Sequence, residues 1–304
     1  MRKTWKKYLI GASLAASISA IATTPAHAGS ITNITIGGTK PNDYSVYDAN
    51  ATNTFQVDNT LANVQKVLDG DATHPTGNVE LAVSSKQSGF DFTKSNTSLT
   101  GKIDGRDITL SSLTAADWTP SFTNTWLSQG LAANGFNLSP TLVSFVSNIF
   151  TQYGGPQRFS DPNISYVNED DSTGLIKIGL AGHWNANSLL TASINGYLAS
   201  QQVGSSNWSI AQTLLGTLGS KQIQASEVVK VSYNGGPSQL LYSFSATKSG
   251  LVAADDHESH SGNYELTLQG LPATQPASTP EPSIMFAIIG LCGALAAQRH
   301  LKRA

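Results

Sequence analysis

Two hydrophobic rhythms alternate along the chain. Val79, Leu81 and Val83 sit at every second position, separated by Glu80 and Ala82. The same period of two returns at Ile176, Ile178 and Leu180, at Val229, Val231 and Tyr233, at Leu240, Tyr242 and Phe244, and at Tyr264, Leu266 and Leu268. Such alternation lines one face of a strand with apolar side chains and leaves the other polar. Residues 99–103 and 106–110 flank Asp104-Gly105, and Asn234-Gly235-Gly236-Pro237 separates two further arms. Asp-Gly and Asn-Gly tolerate the positive φ of tight hairpin turns, so both segments predict antiparallel pairs.

The second rhythm is helical. Leu61, Val64 and Leu68 fall at i, i+3 and i+7, with Asn59 or Thr60 as cap and Gly70 as stop. Ser139-Pro140 supplies a cap and a first-turn proline to an apolar face of Leu142, Phe145, Val146, Ile149, Phe150 and Tyr153, closed by Gly154-Gly155. That face is wide enough to require burial. Shorter helices are predicted over 123–134, with Trp126, Leu127 and Leu131, and over 187–198 and 207–218. There is no tandem repeat at periods of 20–50 residues. Strands, a helical insert and strands again predict an α+β fold. We expect a single domain over residues 29–270, with antiparallel sheets and a helical insert around residues 121–155.

The ends follow neither rhythm. Arg2, Lys3, Lys6 and Lys7 precede an apolar run over residues 8–22, and Ala26-His27-Ala28 then offers small residues at the positions a signal peptidase reads. Residues 1–28 are therefore expected to be a signal peptide, cut after Ala28 to leave Gly29 as the new N-terminus. At the other end, residues 271–279 form a proline-rich linker. Pro280-Glu281-Pro282 follows, then an uncharged apolar run over residues 284–297, then Arg299, Lys302 and Arg303. Fourteen helical residues span roughly 21 Å, short of a hydrocarbon core of about 30 Å. Such a segment enters a bilayer that thins around it, with the basic cluster held on the cytoplasmic side.

The order Pro-Glu-Pro, apolar helix and basic terminus over residues 280–304 resembles the PEP-CTERM sorting signal of Gram-negative bacteria. The stretch from Arg158 to Asp171 resembles a cyanobacterial group of such proteins with no assigned activity. The resemblance implies that a membrane-embedded exosortase recognises and removes the tail. It also implies export, transient tethering to the membrane, and delivery to the cell surface, extracellular matrix or biofilm.

Charge changes the picture of the body. Residues 29–280 hold 11 Lys+Arg against 19 Asp+Glu, a net −8, although the whole chain reads −2. An acidic surface of that kind does not suit a phosphate backbone, so no nucleic-acid partner is expected. The only cysteine, Cys292, lies in the apolar tail, so the body has no thiol for a disulfide, a metal or a nucleophile. Gly-x-Ser-x-Gly and the penicillin-binding motifs are absent.

Two clusters hold candidate metal ligands. Asp255-Asp256-His257-Glu258-Ser259-His260 contains a His-x-x-His pair, His257 and His260, but reads first as a solvated acidic hairpin loop. Asp161, Asp170 and Asp171 offer oxygens that would suit Ca²⁺, but Asp161-Pro162-Asn163 reads first as a turn and residues 169–174 as a loop. No other cofactor is expected. Asp161, Asp170, Asp171 and Glu227 are the acids available for glycoside hydrolysis, and Trp118, Trp126, Trp184 and Trp208 the aromatics available to stack on sugars. Two functions stay open. One is a non-enzymatic surface or matrix protein with extracellular polysaccharide as a partner. The other is a secreted hydrolase of polysaccharide or peptide, which requires two acids, or His257 and His260 with an acid, to converge in a pocket.

Overall fold

The computed structural model describes residues 28–170 and 172–271. Ala26, Asp171, the 284–297 run, Pro280-Glu281-Pro282 and the basic residues Arg299, Lys302 and Arg303 lie outside them. Among the described residues no helix is long and apolar enough to cross a membrane.

The described residues form a mixed α+β fold with six helices. The strands are β1 (Ala28–Ser30), β2 (Thr32–Gly38), β3 (Tyr44–Ala49), β4 (Asn53–Val57), β5 (Gly77–Leu81), β6 (Thr97–Ile103), β7 (Arg106–Ser111), β8 (Asn163–Asp170), β9 (Leu175–Gly182), β10 (Val229–Tyr233), β11 (Gln239–Leu241), β12 (Thr247–Lys248), β13 (Val252–Ala253) and β14 (Gly262–Gln269). The larger sheet runs β12-β14-β9-β8-β5-β3-β4-β13, with β1 paired to the end of β8; the smaller runs β11-β10-β7-β6-β2. Pairing is antiparallel apart from β13 on β4. The β6–β7 hairpin turns through Asp104 and Gly105 at φ 45° and 74°, the positive pair that Asp-Gly predicts.

The helices begin where caps stand in the sequence. Thr60 caps α1 (Leu61–Leu68), accepting from the Asn63 N–H. Thr119 and Pro120 start α2 (Pro120–Ala133) three residues ahead of the apolar pattern. Ser139 caps α3 (Pro140–Gln152), and the one-turn α4 (Gly155–Arg158) follows it. α5 (Asn187–Ser200) and Ser205-capped α6 (Ser206–Gly219) complete the set. Helical structure is thus inserted over 120–158, close to the insert expected around 121–155, and again over 187–219, where the two further helices were predicted.

One apolar core joins both sheets and α1, from Ile31, Val46 and Val67 to Leu110, Ile178, Val231 and Leu266. A second fills the helical layer, where Trp126 packs on Trp118, Phe150, Phe159 and Phe244 at centroid distances of 4.8–5.5 Å. Trp118 and Trp126 are buried there and stack on protein aromatics.

A central strand, β8, takes in Asn163, read as part of a turn, and Glu169 and Asp170, read as the start of a loop, whereas residues 172–174 do turn ahead of β9. β8 is buried from Asn163 to Glu169 despite four polar residues, because β9 covers one edge and β5 and β1 share the other.

Candidate functional site

Strand alternation sets the site. On β5, Val79 and Leu81 enter the core, so Glu80 points to the opposite face. On neighbouring β3, the Tyr47 hydroxyl donates to Glu80 Oε2 at 3.1 Å. The approach of these two strands depends on Gly77, whose φ is +133° and whose hypothetical Cβ would lie 2.0 Å from the Tyr47 carbonyl oxygen.

The apolar alternation predicted a strand through Val83, but Ala82 adopts a left-handed conformation at φ 58° and starts a 3-10 turn over Val83–Lys86. Asp43 secures this turn by accepting from the Ser84 N–H at 2.9 Å and the Ser84 hydroxyl at 2.6 Å. Ser85 then donates to the fully buried Asp161 Oδ2 at 2.6 Å, and Lys86 Nζ lies 3.4 Å from the same oxygen.

Glu227 arrives from the segment ahead of β10, anchored where the Val228 N–H donates to the Phe159 carbonyl at 2.8 Å. The Asn163 backbone N–H donates to Glu227 Oε2 at 3.0 Å, and Asn163 Nδ2 lies 3.3 Å from both carboxyl oxygens. With its amide nitrogen committed to Glu227, Asn163 presents Oδ1 to His260 Nε2 at 3.2 Å. That assigns the imidazole proton to Nε2, and Nδ1 accepts the Thr54 hydroxyl at 2.6 Å. Thr54, His260, Asn163 and Glu227 therefore form one continuous chain of hydrogen bonds.

These groups surround a polar cavity of about 220 Å³. Tyr47, Glu80, Lys86, Asn163, His183, Glu227 and His260 line it, and the 255–259 segment adds Asp255, Asp256 and Ser259.

Three carboxyl groups share one cation. Burial and then the charge of Asp161 push Glu80 up to about 7, and the same causes raise Glu227 well above the ordinary range. Burial also raises Asp161, against the pull of Lys86. The neighbouring Asp161, followed by Glu227 and Glu80, holds the Lys86 ammonium above its usual value. One negative charge is thus compensated by contact, and Asp161 makes that contact. Glu80, up to about 7, and Glu227 are both held toward the protonated form, because a second and third buried charge would be unpaired. Burial lowers His260 to about 4 and lowers His183, so both imidazoles are neutral. The buried part of the cavity therefore presents acid protons, a phenol and neutral imidazoles around one ion pair, and the exposed carboxylates of Asp255 and Asp256 complete its lining.

The structure brings together Asp161, Glu227 and His260 of the residues singled out in the sequence. The others lie elsewhere. His257 is exposed in a turn at φ 57°. Asp170 is at the far end of β8 from Asn163, where its Oδ1 accepts from Ser172 and Thr173. Among the described residues no group of three or more His, Cys, Asp or Glu side chains is arranged to hold a metal ion. The acidic run is solvated over 255–258, as expected of a loop, but dips inward to bury His260 at 5% exposure. Tyr47, Glu80, Lys86, Asn163 and His183 carried no motif. Their only signal was Glu80 between two core positions, which fixes a face and not a partner. No protein-family model, no curated protein and no solved structure matches this chain.

Proposed function

We propose that this chain is an exported surface or extracellular-matrix protein. In this reading its 29–270 body forms one domain that binds a neutral, hydroxyl-rich ligand, such as a unit of extracellular polysaccharide, in the Glu80–Glu227 cavity. The reading of its address rests on the sequence: signal peptidase cuts after Ala28, and an exosortase recognises residues 280–304 while the apolar run holds the chain at the membrane. The observation that carries the ligand class is the cavity's charge state. Among the buried members one ion pair is internally compensated and the rest are neutral donors and acceptors, while the exposed carboxylates of Asp255 and Asp256 add only negative charge. The buried part of such a lining desolvates sugar hydroxyls at little cost and matches them with hydrogen bonds, whereas an anionic ligand would meet the carboxylates of Asp255 and Asp256.

The test is binding of the full chain to a panel of neutral, acidic and amino polysaccharide fragments by calorimetry between pH 5 and 9, with and without Ca²⁺. Saturable binding of neutral fragments that weakens above pH 7, as Glu80 ionises, is expected. Preference for a charged fragment, or no saturation at about 1 mM, removes the reading.

A secreted hydrolase is a second reading, favoured by the proximity of the protonated acids Glu80 and Glu227 to a compensated carboxylate. Release of reducing ends from a bound fragment, abolished in Glu227→Gln, would support it.

A further inference from the structure

A second arrangement adjoins the same cavity. His183 follows directly from β9, with Nε2 3.4 Å from Ser259 Oγ and Nδ1 3.9 Å from Glu258 Oε1. Nδ1 is buried and makes no hydrogen bond within the described structure. A buried ring nitrogen normally has a partner. Glu258, 57% exposed, needs a movement of only about 1 Å to accept from Nδ1, given usual hydrogen-bond lengths.

The histidine is held from behind. Tyr264 donates its hydroxyl to the His183 carbonyl at 2.7 Å, and the Trp184 N–H donates to Ser261 Oγ at 3.0 Å. Gly262 permits this packing, since a Cβ there would lie 2.9–3.0 Å from the Trp184 nitrogen and the His183 carbonyl group. Ser259 is held by Asp256, which accepts its backbone N–H at 2.9 Å and, at rest, its hydroxyl. Rotation of that hydroxyl toward Nε2 completes a serine–histidine–carboxylate series. Such contacts are often long before substrate binds.

We propose that Ser259, His183 and Glu258 form a nucleophilic relay that hydrolyses a carboxylic ester. Resting on the ligand reading above, the ester would be an acyl group carried on a hydroxyl of the bound saccharide. Ser259 Oγ bonds to the acyl carbon while its proton passes to His183 Nε2. The ester C–O bond then breaks, and the proton returns to the leaving sugar oxygen. Water attacks the acyl-serine, gives one proton to His183 and releases the carboxylic acid as Ser259 recovers its hydroxyl. No co-reactant beyond water is needed. Glu258 is the positioning residue that fixes the proton on Nδ1 and leaves Nε2 as the acceptor. Lys86, the cation lining the cavity, is the group available to stabilise charge on the acyl oxygen.

The test combines a fluorophosphonate probe, mapped by peptide mass spectrometry, with p-nitrophenyl acetate hydrolysis by the full chain. A single adduct on Ser259 is expected. Ser259→Ala should abolish adduct and turnover, and His183→Gln should slow both by about 100-fold or more. Glu258→Gln should lower kcat with KM unchanged and alter the pH–rate profile, which a merely structural role would leave in place. Because Ser259→Ala removes the hydroxyl's hydrogen bond to Asp256, Ser259→Cys serves as a second variant; it should lose the ester activity and gain iodoacetamide alkylation that His183→Gln slows. Absence of an adduct on protein that still unfolds cooperatively, an adduct elsewhere, or hydrolysis unchanged in Ser259→Ala overturns the relay. Saccharide binding measured on the same samples separates the two ideas: binding without an adduct defeats the relay alone, and an adduct without binding supports the relay and defeats the ligand reading.

Discussion

Removing the acid at Glu80 should make the protein more stable, and only at the alkaline side of its range. Glu80 is pushed up to about 7 from an ordinary 4.5, first by burial and then by Asp161. Between these two values the native state holds a proton that the unfolded chain has released. Stability therefore falls as pH rises through this window and levels off above it. At about 1.36 kcal/mol per pH unit, the full penalty approaches roughly 3 kcal/mol by pH 8, a substantial share of the 5–15 kcal/mol typical of a folded domain. Glu80→Gln has the shape of the neutral acid and can still accept the Tyr47 hydroxyl, so it keeps the contact and removes the ionisation. Urea unfolding of the mature chain at pH 4.5 and pH 8 should show near-equal stability for the two proteins at the lower pH. At the higher pH the variant should gain about 2–3 kcal/mol. A gain of equal size at both pH values, or a loss at pH 8, would refute the argument that a buried, neutral carboxyl group sits beside the Asp161–Lys86 pair.

Two further outcomes follow from the same geometry and a third from the terminal sequences. Gly77→Ala forces a Cβ against the Tyr47 carbonyl in a positive-φ conformation, and thermal unfolding should show a loss of at least about 2 kcal/mol together with weakened cavity binding. Asn163→Ala removes Nδ2 from Glu227 and Oδ1 from His260, leaving Glu227 only the backbone N–H of residue 163, and should cost about 2–4 kcal/mol by urea unfolding. Intact mass measurement of exported material should give Gly29 as the first residue and no residues beyond about Pro280, and retention of Arg303 would defeat the exosortase reading.

What could be read in the chain was local. Ser139-Pro140 specifies a helix start through a side-chain cap and a proline that needs no N–H, and α3 begins there. Asp104-Gly105 specifies a two-residue reversal by its tolerance of positive φ, and β6 and β7 pair across it. In both cases the deciding interactions span a few residues. β8 misled for the opposite reason. Its Asn163, Ser165, Asn168 and Glu169 look like loop residues until strands on both edges bury them. Val83 misled because the apolar period continues past Leu81 while the backbone turns at Ala82 under the hold of Asp43, forty residues earlier in the chain.

The sequence by itself determined the cysteine-free, acidic body, the caps and the hairpins, and it is the sole basis for the proposal of export. Tertiary structure alone decided the cavity, because its members come from six separate stretches between Tyr47 and His260 that meet only in the folded chain. Ordinary acids and imidazoles gained altered proton affinities there by losing water and acquiring one another as neighbours. Desolvation and Coulomb interaction depend on distance in space, and a linear pattern of residues carries no measure of it.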